Sequence, residues 1–197
     1  MKTLKIISIR KTVQVLLLTL LLTSSCAQSD KKTNSDTTAK TTKSVTKPSM
    51  DIHAAVLTGN LEVVKQHIEA GTDINQKEAM SGSTPLMSAA TFNKTEIAKA
   101  LINADADLTI KNNDGGTALH TAAFFGRIEI VQLLIDAKAD KTVRNNFGAT
   151  PREIVISDFA QMKPIYEMLT QQLQPMGFTL DFDELQKARP VVAMMLQ

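Results

Sequence analysis

A repetition with a period of 33 residues constrains this chain more than any other feature. Thr84-Pro85-Leu86 returns as Thr117-Ala118-Leu119 and again as Thr150-Pro151-Arg152, and Gly82, Gly115 and Gly148 hold one turn position. Ala89-Ala90 matches Ala122-Ala123, and Glu96-Ile97 matches Glu129-Ile130. A shift of 34 finds an earlier copy in Ile52-His53-Ala54-Ala55 followed by Gly59 to Val64. Self-similarity at such a period means one supersecondary unit stacked on copies of itself.

The segment Asp114 to Asp140 shows what the unit is. Gly115-Gly116 marks a turn, Thr117 caps the next segment, and Leu119, Ala122 and Ala123 share a helix face at i, i+3, i+4. Gly126 breaks that run, because redirecting the chain straight after a helix favours φ > 0. A second helix follows, about Ile128 to Asp136, with Ile130, Val131, Leu133 and Leu134 on a wide apolar face. Neither helix is long enough to stand alone in water, so the unit needs neighbours.

A turn–helix–helix unit of this period, carrying Thr-Pro-Leu and Thr-Ala-Leu-His, resembles the ankyrin repeat. The expected fold is therefore all-α: an ankyrin-repeat solenoid with short hairpin-like loops, about four repeats and C-terminal capping helices. The repeats are expected at 49–76, 77–110, 111–143 and 144–174, with a cap at 175–197. In the fourth repeat Arg152 and Glu153 replace the usual Leu and His, and Pro164 opens a helix through about Leu173 as its second helix. Past it, Asp181 to Glu184 has capping-box spacing, and Pro190 ends or kinks the short helix that follows.

Residues 1–27 read as a secretory signal peptide: Lys2, Lys5, Arg10 and Lys11 precede the apolar run Val13 to Leu22 and then small residues. Leu22-Thr23-Ser24-Ser25-Cys26 resembles a bacterial lipoprotein cleavage box, with Cys26 the lipidated residue, although Thr23 stands where such boxes usually carry Leu. Ordinary cleavage after Ala27 is the other reading. If Cys26 is lipidated, Ala27 after it implies outer-membrane sorting. The localisation expected is a periplasm-facing or cell-surface membrane lipoprotein, otherwise a soluble periplasmic protein. Residues 28–48, rich in Ser, Thr and Lys, read as a disordered tether. Cys26 is the only cysteine, so an intramolecular disulfide is impossible.

Residues 49–197 carry 13 Lys and Arg against 18 Asp and Glu, a net charge of −5, which disfavours nucleic acid as a partner. No His pair has metal-ligand spacing, and no phosphate loop or nucleophile elbow occurs, so no metal, cofactor or catalytic residue is expected. The resemblance implies that His120 bonds the hydroxyl of Thr117 and the backbone of an adjoining loop. It implies a loop-geometry role for the row Asp73, Asp107 and Asp140, against the alternative of a cation site.

The phenylalanines point to a partner. Phe92 and Phe125 occupy one repeat position, with Thr91 and Phe124 just before them, and Phe147 and Met80 lie near hairpin tips beside Asn113, Asp114 and Asn146. The resemblance places these nine residues on the concave face and fingers, where partner proteins are gripped. Four of the seven Phe at such places suggest an exposed apolar patch dispensable for folding. The alternative for Phe124 or Phe125 singly is packing between repeats. The expected function is protein–protein interaction by an exported, anchored monomer attached to the membrane through its N-terminal lipid only. A tethered inhibitor or immunity-type protein that blocks one enzyme is the alternative, and an enzyme with a site at the C-terminal tail is the third reading.

Overall fold

The structure, a computed structural model, describes residues 47–197. Cys26, the signal peptide and all but the last two residues of the expected tether lie outside the described residues. The elements are α1 (Ile52–Thr58), α2 (Leu61–Glu69), α3 (Pro85–Thr91), α4 (Thr95–Asn103), α5 (Ala118–Phe124), α6 (Ile128–Asp136), α7 (Pro151–Ile156), α8 (Phe159–Leu173), a 3-10 turn at Gln174–Met176, and α9 (Phe182–Met195). No strand occurs among the described residues, and no helix among them is long and apolar enough to cross a membrane.

The repeat sequence sets each helix start by capping. Thr84 accepts from the N–H of Met87 at 3.3 Å, with Pro85 at the first helical position where a missing N–H costs nothing. Thr150 and Glu153 form a reciprocal capping box at α7, and His120 takes the glutamate's part at α5. After the second helices the chain turns through the left-handed region at Gly71, Asp105 and Lys138, with φ of 66°, 59° and 65°. Gly126 likewise has φ of 64°.

The first helices α1, α3, α5 and α7 stack in one layer, and α2, α4 and α6 in a second. One apolar core runs between the layers, from Ile52 and Val56 through Leu86, Leu101, Leu119 and Leu134 to Val192 and Leu196. Those last two residues correct the expected boundaries of the fourth repeat. It is α9, not the helix containing residues 164–173, that packs on α7 and α6 as α6 packs on α5 and α4. Its buried residues Leu185, Ala188, Arg189 and Val192 follow i, i+3, i+4, i+7 and form the face a second helix needs. Residues 157–181, with α8, are thus an insertion between the two helices of repeat four.

Two prolines are placed differently from expectation. Pro164 lies inside α8, which starts earlier, where Asp158 accepts from the N–H of Ala160, and Pro190 lies inside a continuous α9. Both are on exposed faces, where a carbonyl left without its helical donor meets solvent.

Successive hairpins are stitched at their tips. The N–H of Asn113 donates to the carbonyl of Ser81, and that of Asn146 to the carbonyl of Asp114, each at 2.9 Å. The side-chain amides repeat the step: Asn113 Nδ2 donates to Met80 O at 2.9 Å and Asn146 Nδ2 to Asn113 O at 3.0 Å. Gly82 and Gly115 make room, since a Cβ at either would run into the Asn side chain of the next hairpin.

Candidate functional site

Each first helix begins at a hairpin and ends at the turn into its partner, so the stack has a hairpin edge and a turn edge. The predicted binding residues divide between them.

At the hairpin edge Met80 is 90% exposed and Phe147 79%. Asp114 lies between them in the chain with an exposed side chain that makes no hydrogen bond among the described residues. Asn113 and Asn146 are exposed too, and their amide nitrogens also hold neighbouring hairpins together.

At the turn edge the expected open patch is covered. Phe125 is only 7% exposed, Phe92 and Phe124 are half-buried, and the inserted residues lie over them. Phe178, 2% exposed, meets Phe92 edge-on with ring centroids 5.9 Å apart and Phe125 at 5.3 Å. Phe124 packs on Phe125 at 4.8 Å and on the fully buried Tyr166 of α8 at 4.6 Å. Each such pair contributes about 0.5–1.5 kcal/mol beyond area burial. Phe92 and Phe125 are therefore structural in this chain and not dispensable. Thr91 is half-buried; its hydroxyl donates to Met87 O and its carbonyl accepts from Arg127 Nη2, each at 3.1 Å.

Two arginines that the sequence did not single out complete this edge. Arg189, buried on α9, has no carboxylate partner among the described residues; it donates to Tyr166 Oη at 3.1 Å and to the carbonyls of Ser157 at 2.5 Å and Ile154 at 3.3 Å. It thus caps the C-terminal end of α7, where the helix dipole favours a cation. Tyr166 Oη donates onward to Phe124 O at 2.8 Å, and burial raises the phenol's pKa. Arg127 stands with its guanidinium carbon 5.8 Å from the Phe125 ring centroid and 6.0 Å from that of Phe178. Burial pushes the Arg127 pKa down to about 10.

Beside Phe178 lies a cavity of about 460 Å³ whose lining includes Phe92, Asn93, Arg127, Thr179, Asp181 and Glu184. It lies where the tail meets repeats two and three. Asp181 is occupied in capping α9, accepting from the N–H groups of Asp183 and Glu184. Thr179, the one hydroxyl in the lining, has no hydrogen bond to a base among the described residues. The arrangement assembles no nucleophile–base pair.

His120 takes the place that the resemblance implies. His120 Nδ1 lies 3.1 Å from the N–H of Thr117, which only an unprotonated nitrogen can accept, so Nε2 carries the proton to Ala149 O at 3.2 Å. Burial lowers its pKa. His53 reaches Gln76 O at 2.9 Å. His67 is fully buried; its two nitrogens meet Met50 O at 2.8 Å and Thr72 Oγ1 at 3.1 Å. The Asp row serves its loops. Asp73 accepts from the N–H of Asn75, and Asp107 and Asp140 each accept from the N–H and hydroxyl of the Thr two residues on.

A family model described as ankyrin repeats, in three copies, matches residues 52–145, just under half of the chain. Residues 52–145 are ankyrin repeats. The match ends inside the fourth hairpin, before α7, so the split fourth repeat is a feature of the packing alone.

The chain is similar to human protein phosphatase 1 regulatory subunit 27, 44% identical over 64 residues, which are 32% of this chain and 41% of that protein. An ankyrin repeat-containing protein of Schizosaccharomyces pombe is 48% identical over 65 residues, 32% of this chain and 30% of its own. Ankyrin repeat and SAM domain-containing protein 6 of Rattus norvegicus is 36% identical over 61 residues, 31% of this chain and 7% of its own. The chain thus spans less than half the length of these relatives. Ankyrin repeats imply protein–protein interaction, and the human relative is named as a regulatory subunit.

Proposed function

We propose that the chain is an exported, non-enzymatic, monomeric protein, anchored through a lipid on Cys26, whose ankyrin repeats bind another protein through their hairpin edge. The observation that carries the binding surface is the pair Met80 and Phe147, two large apolar side chains held in solvent on hairpin tips. Nothing in the fold needs them exposed, and apolar anchors of this kind dominate interface energetics. Asp114 on the intervening hairpin adds a free charge that sets orientation. Anchoring rests on the residues from Lys2 to Ala27, and the stretch 28–48 lets the repeats search nearby.

Crosslinking in intact cells followed by purification identifies the partner. Met80→Ser with Phe147→Ser abolishes its capture while the urea midpoint stays unchanged; undiminished capture overturns the hairpin-edge reading. Cys26→Ser leaves an exported but soluble form, and unchanged partitioning into detergent overturns the anchor. The second reading, a tethered blocker of one enzyme, is favoured by the printed name of the human relative. It requires that the captured partner be an enzyme whose activity falls when this chain is added.

A further inference from the structure

Phe92, Phe125 and Arg127 form an aromatic and cationic seat that belongs wholly to repeats two and three. Repeats do not need aromatics there: in repeat one, Thr58 stands at the equivalent position. What fills the seat is Phe178, from the far side of α8.

The way it is held is one-sided. No hydrogen bond or ion pair joins residues 174–180 to the repeats among the described residues; the backbone bonds of Gly177 and Phe178 run back to Gln174 and Leu173. The polar pins lie outside this stretch: Tyr166 to Phe124 O before it, and Arg189 to Ser157 O and Ile154 O after it. Between the pins the chain passes through Gly177, at φ of 80°, where a Cβ would meet no atom within 4 Å beyond those of its chain neighbours. The seat is also imperfectly filled, since the cavity of about 460 Å³ opens beside the Phe178 ring. Opening this stretch therefore breaks no polar bond to the repeats, and its cost is the burial of Phe178.

Arg127 indicates what else the seat would hold. It donates to Thr91 O, its Nε has no acceptor, and no carboxylate lies within 4 Å of it among the described residues. Asp181, three residues after Phe178, lines the same cavity, but its carboxylate starts α9. A carboxylate from another chain has no such duty and could meet the guanidinium as a charge-assisted pair.

We propose that Phe92, Phe125 and Arg127 form a recognition site for a protein segment carrying an aromatic side chain followed closely by a carboxylate. Residues 174–184 occupy this site as a tethered competitor. The surface is separate from the hairpin edge, so each stands or falls alone.

The probe is a fluorescent peptide of the chain's own sequence from Gln174 to Glu184, QPMGFTLDFDE, titrated against the full chain by anisotropy. Phe178→Ala protein, its seat vacated, binds the peptide at least about tenfold more tightly than the unaltered protein, whose seat is mostly filled. Adding Arg127→Gln to that protein, or replacing the peptide's Phe178 with Ala, lowers the affinity at least about tenfold. Equal affinity for filled and vacated seats, or indifference to the peptide's Phe178 and to Arg127, overturns the proposal. Hydrogen exchange on the unaltered chain tests it without a variant. The amides of Phe178 to Leu180 exchange ahead of those around Tyr166 and Arg189, and exchange only on global unfolding contradicts the opening.

Discussion

The hairpin edge and the turn edge carry similar apolar side chains at similar variable positions, yet Met80 and Phe147 stand in solvent while Phe125 lies beneath Phe178. The difference does not come from the repeats. It comes from residues 157–181, inserted between the two helices of repeat four, which return across the turns of repeats two and three. A solenoid must close its end, and here the closing segment also covers a surface that a regular array would leave open. Exposure in a repeat protein is thus decided by what leaves the repeat.

The largest expected difference between the edges is in stability. Phe125→Ala costs about 3 kcal/mol, the loss typical of a buried phenylalanine, whereas Phe147→Ala stays within about 0.5 kcal/mol. Equilibrium urea unfolding of both variants measures this; similar losses would erase the distinction. A glycine pair isolates α9 from its background. Gly71→Ala and Gly126→Ala both place a Cβ at positive φ, costing about 1–2 kcal/mol. At Gly126 that Cβ also comes within 2.8 Å of Leu185 Cδ1 and 3.1 Å of Ala188 Cβ, whereas at Gly71 it meets nothing. Gly126→Ala is therefore the more destabilising by about 1–3 kcal/mol, the usual cost of overpacking. Equal effects would mean that α9 does not lie on that turn.

Most of the solenoid was legible because its constraints are local and repeated. The Thr caps, the positive-φ residues at 71, 105 and 138, and the reach of His120 from Thr117 to Ala149 all follow from one aligned unit. Repeat four was misjudged because the insertion moves its second helix out of register, and residues 164–173 then stand where that helix is due. The spacing of Leu185, Ala188, Arg189 and Val192 was the available signal, and Pro190 argued against it. The site was less legible still. Whether a Phe on a turn is exposed depends on Phe178 and Tyr166, distant in sequence and outside the repeat pattern.

Smaller effects refine the picture of the regular repeats. Lys138 adopts φ of 65°, where a Cβ costs about 1–2 kcal/mol, and glycine returns part of the gain through its freer unfolded chain. Lys138→Gly stabilises by about 0.5–1 kcal/mol, and Lys141→Gly gives no such gain. His120 gives a pH signature. Its folded pKa lies below the unfolded value of about 6.5, so the unfolded chain binds more protons in that window. Stability is full above about pH 6.5 and falls as pH drops through it, and His120→Asn removes that component of the slope. An unchanged slope would show that His120 is not held neutral.

Covalent footprinting with hydroxyl radicals, read residue by residue by mass spectrometry on the intact full-length chain, tests the contrast between the edges most directly. The account predicts rapid labelling of Met80 and Phe147 with Phe125 and Phe178 protected, and release of Phe125 from protection when Phe178 is replaced by Ala. Labelling of Phe125 as fast as Phe147 in the unaltered chain would contradict it.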